Sequence, residues 1–146
     1  MTLIDANLLL YAYNPSFELH ERARRWLESR FSSPEPVRLA WVTILAFLRI
    51  GTNPRAFEHP LSIDEAIATV SQWLAQPAVG LLEPGERHWE VLSQLLAAAQ
   101  VRGPTVMDAH LAAIALEHGA ILYTTDRDFA RFPGLRTVNP IAETAL

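Results

Sequence analysis

The sequence predicts an α/β fold over residues 1–146, a short, mainly parallel β-sheet covered on both faces by helices. Two observations lead there. Short apolar runs alternate with longer segments of helical periodicity, the pattern of strands buried on both faces. No linker, repeat or low-complexity tract divides the chain, so a single domain is expected. With 50% hydrophobic and 19% charged residues, an intrinsically disordered chain is excluded.

The elements follow in order. Met1–Ile4 is short and apolar, a buried strand. Asp5 opens a helix over Ala6–Tyr13, closed by Asn14-Pro15. From Phe17 to Arg30, the residues Leu19, Ala23, Trp26 and Leu27 share one helix face, with Glu18/Arg22 and Glu21/Arg25 four apart in the favourable order. Ser32–Pro36 is a turn, Val37–Trp41 a short strand and Val42–Gly51 an apolar helix. After the loop Thr52–Pro60, Ser62-Ile63-Asp64-Glu65 forms a capping box. The helix it starts is expected to bury Ile63, Ala66, Ile67, Val70 and Leu74. Pro77–Leu82 is a strand, and Gly85–Val101 a helix with Trp89, Leu92, Leu96 and Ala99 on one side. Arg102-Gly103-Pro104 breaks it. Thr105–His118 is a largely apolar helix stopped by Gly119. Ala120–Thr124 is a strand, Asp126–Arg131 a short helix or turn, and Arg136–Val138 a last strand. Spacing assigns all four tryptophans, Trp26, Trp41, Trp73 and Trp89, to the core.

Composition removes several function classes. The 12 basic residues are all Arg, which excludes Schiff-base enzymes and Walker A nucleotidases. No Cys excludes disulfides, thiolate metal sites and thiol nucleophiles, and fits a reducing cytoplasm. A net charge of -4 argues against a broadly basic nucleic-acid coat but not against a local Arg-lined track. The start Met1-Thr2-Leu3-Ile4-Asp5 lacks the basic region of a signal peptide, and the longest apolar run, Leu39–Leu48, is about half a membrane span. A soluble cytoplasmic protein without membrane association is expected. The Arg22-Ala-Arg24-Arg25 cluster is interleaved with Glu and fits a solvated face.

Parallel sheets form sites at the carboxyl ends of their strands. Asp5 follows the first strand, Asp126 follows the strand Ala120–Thr124, and Asp108 starts the helix feeding that strand. Each alone fits a helix cap. Yet the chain has 11 Glu and 5 Asp, and four of those five aspartates, Asp5, Asp108, Asp126 and Asp128, lie in these segments. Carboxylates this close resist joint ionisation unless a cation neutralises them. Without Cys, and with His scattered, the donors are all oxygen, which suits Mg²⁺ or Mn²⁺ over Zn²⁺. His110, two residues beyond Asp108 on the same helix, faces elsewhere and is assigned a structural role. Arg102, Arg127 and Arg131 flank the acidic edge as candidate phosphate contacts.

Three segments now carry a resemblance: Leu3-Ile4-Asp5-Ala6-Asn7-Leu8-Leu9-Leu10, Met107-Asp108-Ala109-His110-Leu111-Ala112-Ala113-Ile114-Ala115 and Leu122-Tyr123-Thr124-Thr125-Asp126-Arg127-Asp128-Phe129. In this order they resemble the successive motifs of PIN-domain ribonucleases, in particular the VapC-type toxins of bacterial type II toxin–antitoxin pairs. The stretch Leu48–Phe57 resembles a subgroup of those toxins. The resemblance implies a PIN-like three-layer α/β/α sandwich and Mg²⁺- or Mn²⁺-dependent endonucleolytic cleavage of RNA. It also implies a cognate antitoxin and a homodimer. By position it makes Asp5, Asp108 and Asp126 catalytic metal-site carboxylates and Asp128 a further acid near the metal. Asn7, Thr43 and Thr125 match supporting polar positions. One element of the pattern is missing: the family usually carries a Glu shortly after the hydroxyl at Thr43, where this chain has Ile44 or Phe47, depending on alignment. That gap motivates an alternative, a catalytically weak or inactive PIN module that binds RNA or a protein partner. Receiver domains and haloacid-dehalogenase-like phosphatases share the acidic strand-end pocket but need a Lys, and this chain has none.

Overall fold

The computed structural model describes residues 1–142. Its elements are β1 (Thr2–Ile4), α1 (Ala6–Tyr13), α2 (His20–Phe31), β2 (Val37–Ala40), α3 (Trp41–Gly51), α4 (Ile63–Ala75), β3 (Val79–Leu82), α5 (His88–Ala99), α6 (Thr105–His118), β4 (Ile121–Tyr123), a 3-10 turn (Arg127–Arg131) and β5 (Thr137–Val138). The strands form a five-stranded sheet of order β3-β2-β1-β4-β5, every pairing parallel. β1 is therefore central, with Thr2 in register with both Val37 and Ile121, and Ile4 with Tyr123.

Strand alternation divides the core into two layers. On one side Ile4 and Leu39 pack with Leu8, Leu9, Ile44, Phe47 and Trp73 from α1, α3 and α4. On the other, the neighbouring residues Leu3 and Ala40 pack with Leu95 of α5, the run Leu111–Ala115 of α6, Leu122 and Phe129. Successive side chains of one strand point to opposite faces, so two adjacent apolar residues serve two cores. The result is the expected α/β/α sandwich. Each fully buried large side chain contributes about 1.5–3 kcal/mol relative to exposure. No helix among the described residues is long and apolar enough to cross a membrane.

Most element boundaries fall within three residues of the expectation, and the departures have local causes. Asn14 accepts from Phe17 N–H at 3.3 Å, a turn that delays α2 until His20. Similarly His88 N–H donates to Gly85 O at 3.1 Å, and α5 starts only at His88. The buried face of α4 is Ala66, Val70 and Trp73, whereas Ile63 and Ile67 are 55% and 52% exposed and Leu74 is exposed as well. Trp73 sets this rotation. Its ring meets Phe47 and Tyr13 edge-on, and its Nε1–H donates to Tyr13 Oη at 2.8 Å. The largest side chain of the helix thus takes the inner line.

Two other tryptophans leave the core. Trp41 begins α3 instead of ending β2 and is 47% exposed, while Trp89 is 71% exposed. On α5 the fully buried residue is Leu95, with Leu92, Leu96 and Ala99 partly covered. Trp26 is half-buried and stacks on Tyr123 with ring centroids 5.5 Å apart. On α2 the solvated charge face is centred on Arg24, which bridges Glu21 at 2.9 Å and Glu28 at 2.8 Å; Arg25 reaches Glu21 only at 3.8 Å. The capping box forms as expected, Ser62 and Glu65 exchanging both bonds.

Candidate active site

Because β1 and β4 are neighbours, the residues that leave their carboxyl ends meet. Asp5 N–H donates to Tyr123 O at 3.0 Å. Thr124 Oγ1 donates to Asp5 Oδ2 at 2.7 Å and accepts from Asp126 N–H at 3.0 Å. Asp126 Oδ1 in turn accepts from Asp128 N–H at 2.8 Å, and Asp5 Oδ1 accepts from Ala6 N–H at 2.8 Å, capping α1. The capping role and the site role of Asp5 are thus divided between its two oxygens. Thr124, buried at 3% exposure, is the residue that ties the two strand ends together.

Asp108 approaches from the first turn of α6. Burial raises its carboxyl to a pKa of about 6, with further upward pressure from the charges of Asp5, Asp126 and Asp128 and partial relief from Arg131. Burial also raises Asp5; the bonds from Thr124 and Ala6 pull it down, and Asp126 pushes it up. Three acids on three chain segments therefore sense one another's charge. Among the described residues, no three His, Asp or Glu side chains stand as a preformed cation cluster. The donor set nevertheless fits a hard divalent ion in chemistry: every acid is a carboxylate, and the mutual repulsion that adds to the effect of burial on Asp108 is what such an ion relieves.

These acids open into a groove of about 880 Å³, lined by Asp5, Asn7, Asp108 and Asp126 together with one side of α3 and the start of α6. Asn7 and Thr43 join the groove as expected. Thr43 is 2% exposed, and its Oγ1 is buried without a hydrogen-bond partner among the described residues. Thr125 and Asp128 lie beside Asp126 but outside the lining; Asp128 is exposed and stands 3.9 Å from Arg131 Nη2. Of the three expected arginines, Arg131 is the one whose charge reaches Asp108; Arg102 and Arg127 are exposed outside the lining.

The position of the missing acid resolves clearly. Ile44 and Phe47 are 1% and 0% exposed in the core, so an acid at either place would point away from the groove. The α3 residues that line it include Val42, Ala46, Arg49 and Ile50, with the exposed Trp41 and Leu45 at the rim. Sequence pattern gives Arg49 no site role and assigns Trp41 to the core. Apolar residues next to a charge carry no signature there of a groove wall.

His110 also lines the groove, which corrects its assignment to another face. Its Nδ1 lies 2.9 Å from His88 Nε2, and His88 Nδ1 lies 2.7 Å from Glu117 Oε2. Glu117 Oε1 accepts from Gly85 N–H at 3.1 Å. Burial, and secondarily His88, lower the pKa of His110, while Glu117 acts the other way.

Fold, order of motifs and acidic strand ends define a class. Residues 2–135 match the family described as PIN domain, and the chain belongs to that family. Within it, the chain is similar to Ribonuclease VapC37 of Mycobacterium tuberculosis, 42% identical over 142 residues that cover 97% of this chain and 99% of the relative. Among solved structures it is similar to VapBC2 from Rickettsia felis bound to a promoter DNA fragment, with a TM-score of 0.69 and 13% identity over 94% of this chain and 96% of that one. It is also similar to VapC20 of Mycobacterium tuberculosis, a sarcin–ricin-loop-cleaving toxin, with a TM-score of 0.67 and 19% identity over 93% of this chain and 99% of that one.

Proposed function

We propose that this chain is an endoribonuclease of the VapC type, the toxin of a toxin–antitoxin pair, which hydrolyses RNA phosphodiester bonds with the help of Mg²⁺, or Mn²⁺ in its place. The observation that carries the reading is that Asp5, Asp108 and Asp126 line one groove, with Asp108 raised to about 6 by burial and in part by the charges of the other two. The similarity to a named ribonuclease over nearly the whole chain favours the enzyme over a binding module.

Asp5, Asp108 and Asp126 would hold the ion, with Asp128 close enough in sequence and charge to assist. A bound divalent ion there supplies water activation and neutralises charge developing on the phosphate. The chain's own contribution is positional. Thr124 fixes Asp5 against Asp126, and the capping bond from Ala6 keeps the Asp5 carboxylate from turning. Arg49 and Arg131 supply positive charge beside the acids for an RNA backbone. Asn7, on the groove lining, offers hydrogen bonds to a bound phosphate or water.

Three acids without the family's Glu leave more of a Mg²⁺ shell to water, which that ion tolerates. The partners are RNA, a cognate antitoxin and a second copy of the chain, and the setting is cytoplasmic, with 1–146 acting as one domain. Cleavage of single-stranded RNA that stops in excess EDTA, returns with Mg²⁺ and is lost in Asp5→Asn supports the reading. Undiminished cleavage in EDTA or in that variant refutes it. Growth arrest on expression, relieved by the product of an adjacent gene, tests the toxin role.

A further inference from the structure

The groove has a second polar wall that the carboxylate site does not use. It is a chain of three side chains, Glu117, His88 and His110, that runs from the buried flank of α6 to the groove. Glu117 is 5% exposed and His88 14% exposed, so the inner two members are shielded from water. The rings of His88 and His110 stand nearly perpendicular, at 83° with centroids 4.8 Å apart, which suits a bond between ring nitrogens.

Hydrogen-bond direction fixes the tautomers. An ionised Glu117 offers only acceptors, and one of them already takes the Gly85 N–H. His88 must therefore place its proton on Nδ1 to donate to the other oxygen. With that ring neutral, His88 Nε2 is an acceptor, so His110 must carry its proton on Nδ1. The nitrogen left over, His110 Nε2, holds a lone pair, is open to solvent and has no protein partner among the described residues. Chance placement of a neutral histidine on a groove wall would leave either tautomer available. With both rings neutral, the bond from His88 to Glu117 selects this one.

We infer that His110, oriented by His88 and Glu117, is a substrate-positioning group whose Nε2 accepts a hydrogen bond from a ribose 2′-hydroxyl of RNA lying in the groove. The inference rests on the ribonuclease reading above and adds the sugar to the elements recognised. A phosphate has no donor to give to a lone pair. Base edges carry donors too, but only on some bases, whereas the 2′-hydroxyl is a donor at every ribonucleotide. A lone pair whose direction is set in advance loses little entropy on binding.

Two measurements test this. In ¹⁵N-histidine NMR of the wild-type protein at neutral pH, His110 is expected with Nδ1 protonated and Nε2 bare. An Nε2–H tautomer overturns the inference outright, whatever the enzyme does. Glu117→Gln, with its amide NH₂ turned to His88, reverses both donors and is expected to move the His110 proton to Nε2.

In the second, binding of a single-stranded RNA oligonucleotide and of its 2′-fluoro counterpart is compared by fluorescence anisotropy in Ca²⁺. The 2′-fluoro sugar keeps the RNA shape and lacks the donor. Wild type is expected to prefer the hydroxyl by roughly three- to tenfold, the worth of one hydrogen bond. His110→Ala is expected to bring the ratio near one while lowering affinity for the 2′-fluoro strand little. An unchanged preference in His110→Ala, with RNA still bound and cleaved by wild type, overturns the inference and leaves the ribonuclease reading intact. Preference for base identity in place of sugar, seen with abasic or base-swapped strands, overturns the choice of the 2′-hydroxyl. Failure of wild type to bind or cleave RNA at all removes both readings together.

Discussion

Replacing Asp108 by Asn sets catalysis against stability in a way that can be measured. The carboxyl titrates near 3.8 in the unfolded chain and at about 6 in the folded one. Between those values the native state binds more protons, so stability falls as pH rises from about 4 to about 6 and the penalty is complete at neutral pH. Taken at full weight, the rise from 3.8 to about 6 corresponds to roughly 3 kcal/mol. Asp108 is only half-buried, and solvent screening reduces this to about 1–1.5 kcal/mol. Asp108→Asn removes the charge and keeps the shape. In EDTA at pH 7.5 the variant is therefore expected to melt above wild type, by about 2–6 °C for a domain of this size. At pH 4 the gap should close, because wild type is protonated there. Adding Mn²⁺ should reverse the order, raising the wild-type Tm through binding to the native state while leaving the variant nearly unchanged. Thermal denaturation followed by circular dichroism at both pH values reads all of this. A variant less stable than wild type in EDTA at pH 7.5 refutes the cost of charging Asp108, set by its burial and by the charges of Asp5 and Asp126.

Three more outcomes follow from the same geometry. Thr124→Val removes the hydroxyl that donates to Asp5 and accepts from Asp126 N–H in a buried place; urea denaturation should show a loss of about 1–3 kcal/mol, with cleavage falling at least tenfold. Thr43→Val replaces a buried hydroxyl without a partner among the described residues by a methyl of similar size, so stability should hold or rise by up to about 1 kcal/mol in urea denaturation. A stability loss beyond about 1 kcal/mol would show that the hydroxyl already has a partner. Ala46→Glu places an acid on the groove side of α3 and is expected to tighten Mn²⁺ binding in calorimetry, whereas Ile44→Glu buries a charge in the core and should yield little folded protein.

Much of the fold was legible because it depends on local signals. The helix Ala6–Tyr13 is bounded by an Asx cap and Asn-Pro, and α6 by Gly119 in a left-handed conformation at φ 65°, so both limits could be read from residue types. Strand order was not local. That β1 sits between β2 and β4 follows from which apolar faces the helices cover, and sequence spacing does not encode it. Helix rotation was misjudged on α4 because Ile63, Ile67 and Leu74 make as good a stripe as Ala66, Val70 and Trp73. Only the aromatic cluster with Tyr13 and Phe47 decides between them. Of the candidate site, the placing of Asp5 and Asp126 at strand ends was legible from the general rule for parallel sheets, while Asp108 joins them from the first turn of α6. His110 escaped because its partners lie 22 and 7 positions away on different sides, and its role comes from the proton direction they impose.

The bond between Thr124 and Asp5 spans 119 positions of the chain. Loop-closure entropy makes so distant a contact a late event in folding. A ribosome that has delivered β1, α1 and all the elements up to α5 has released one acid of the site, tethered to nothing that orients it. The carboxylates converge only after β4 has emerged and zipped alongside β1. A chain broken off before β4 therefore lacks Asp126 and the Thr124 hydroxyl that holds Asp5, two parts of the candidate site at once.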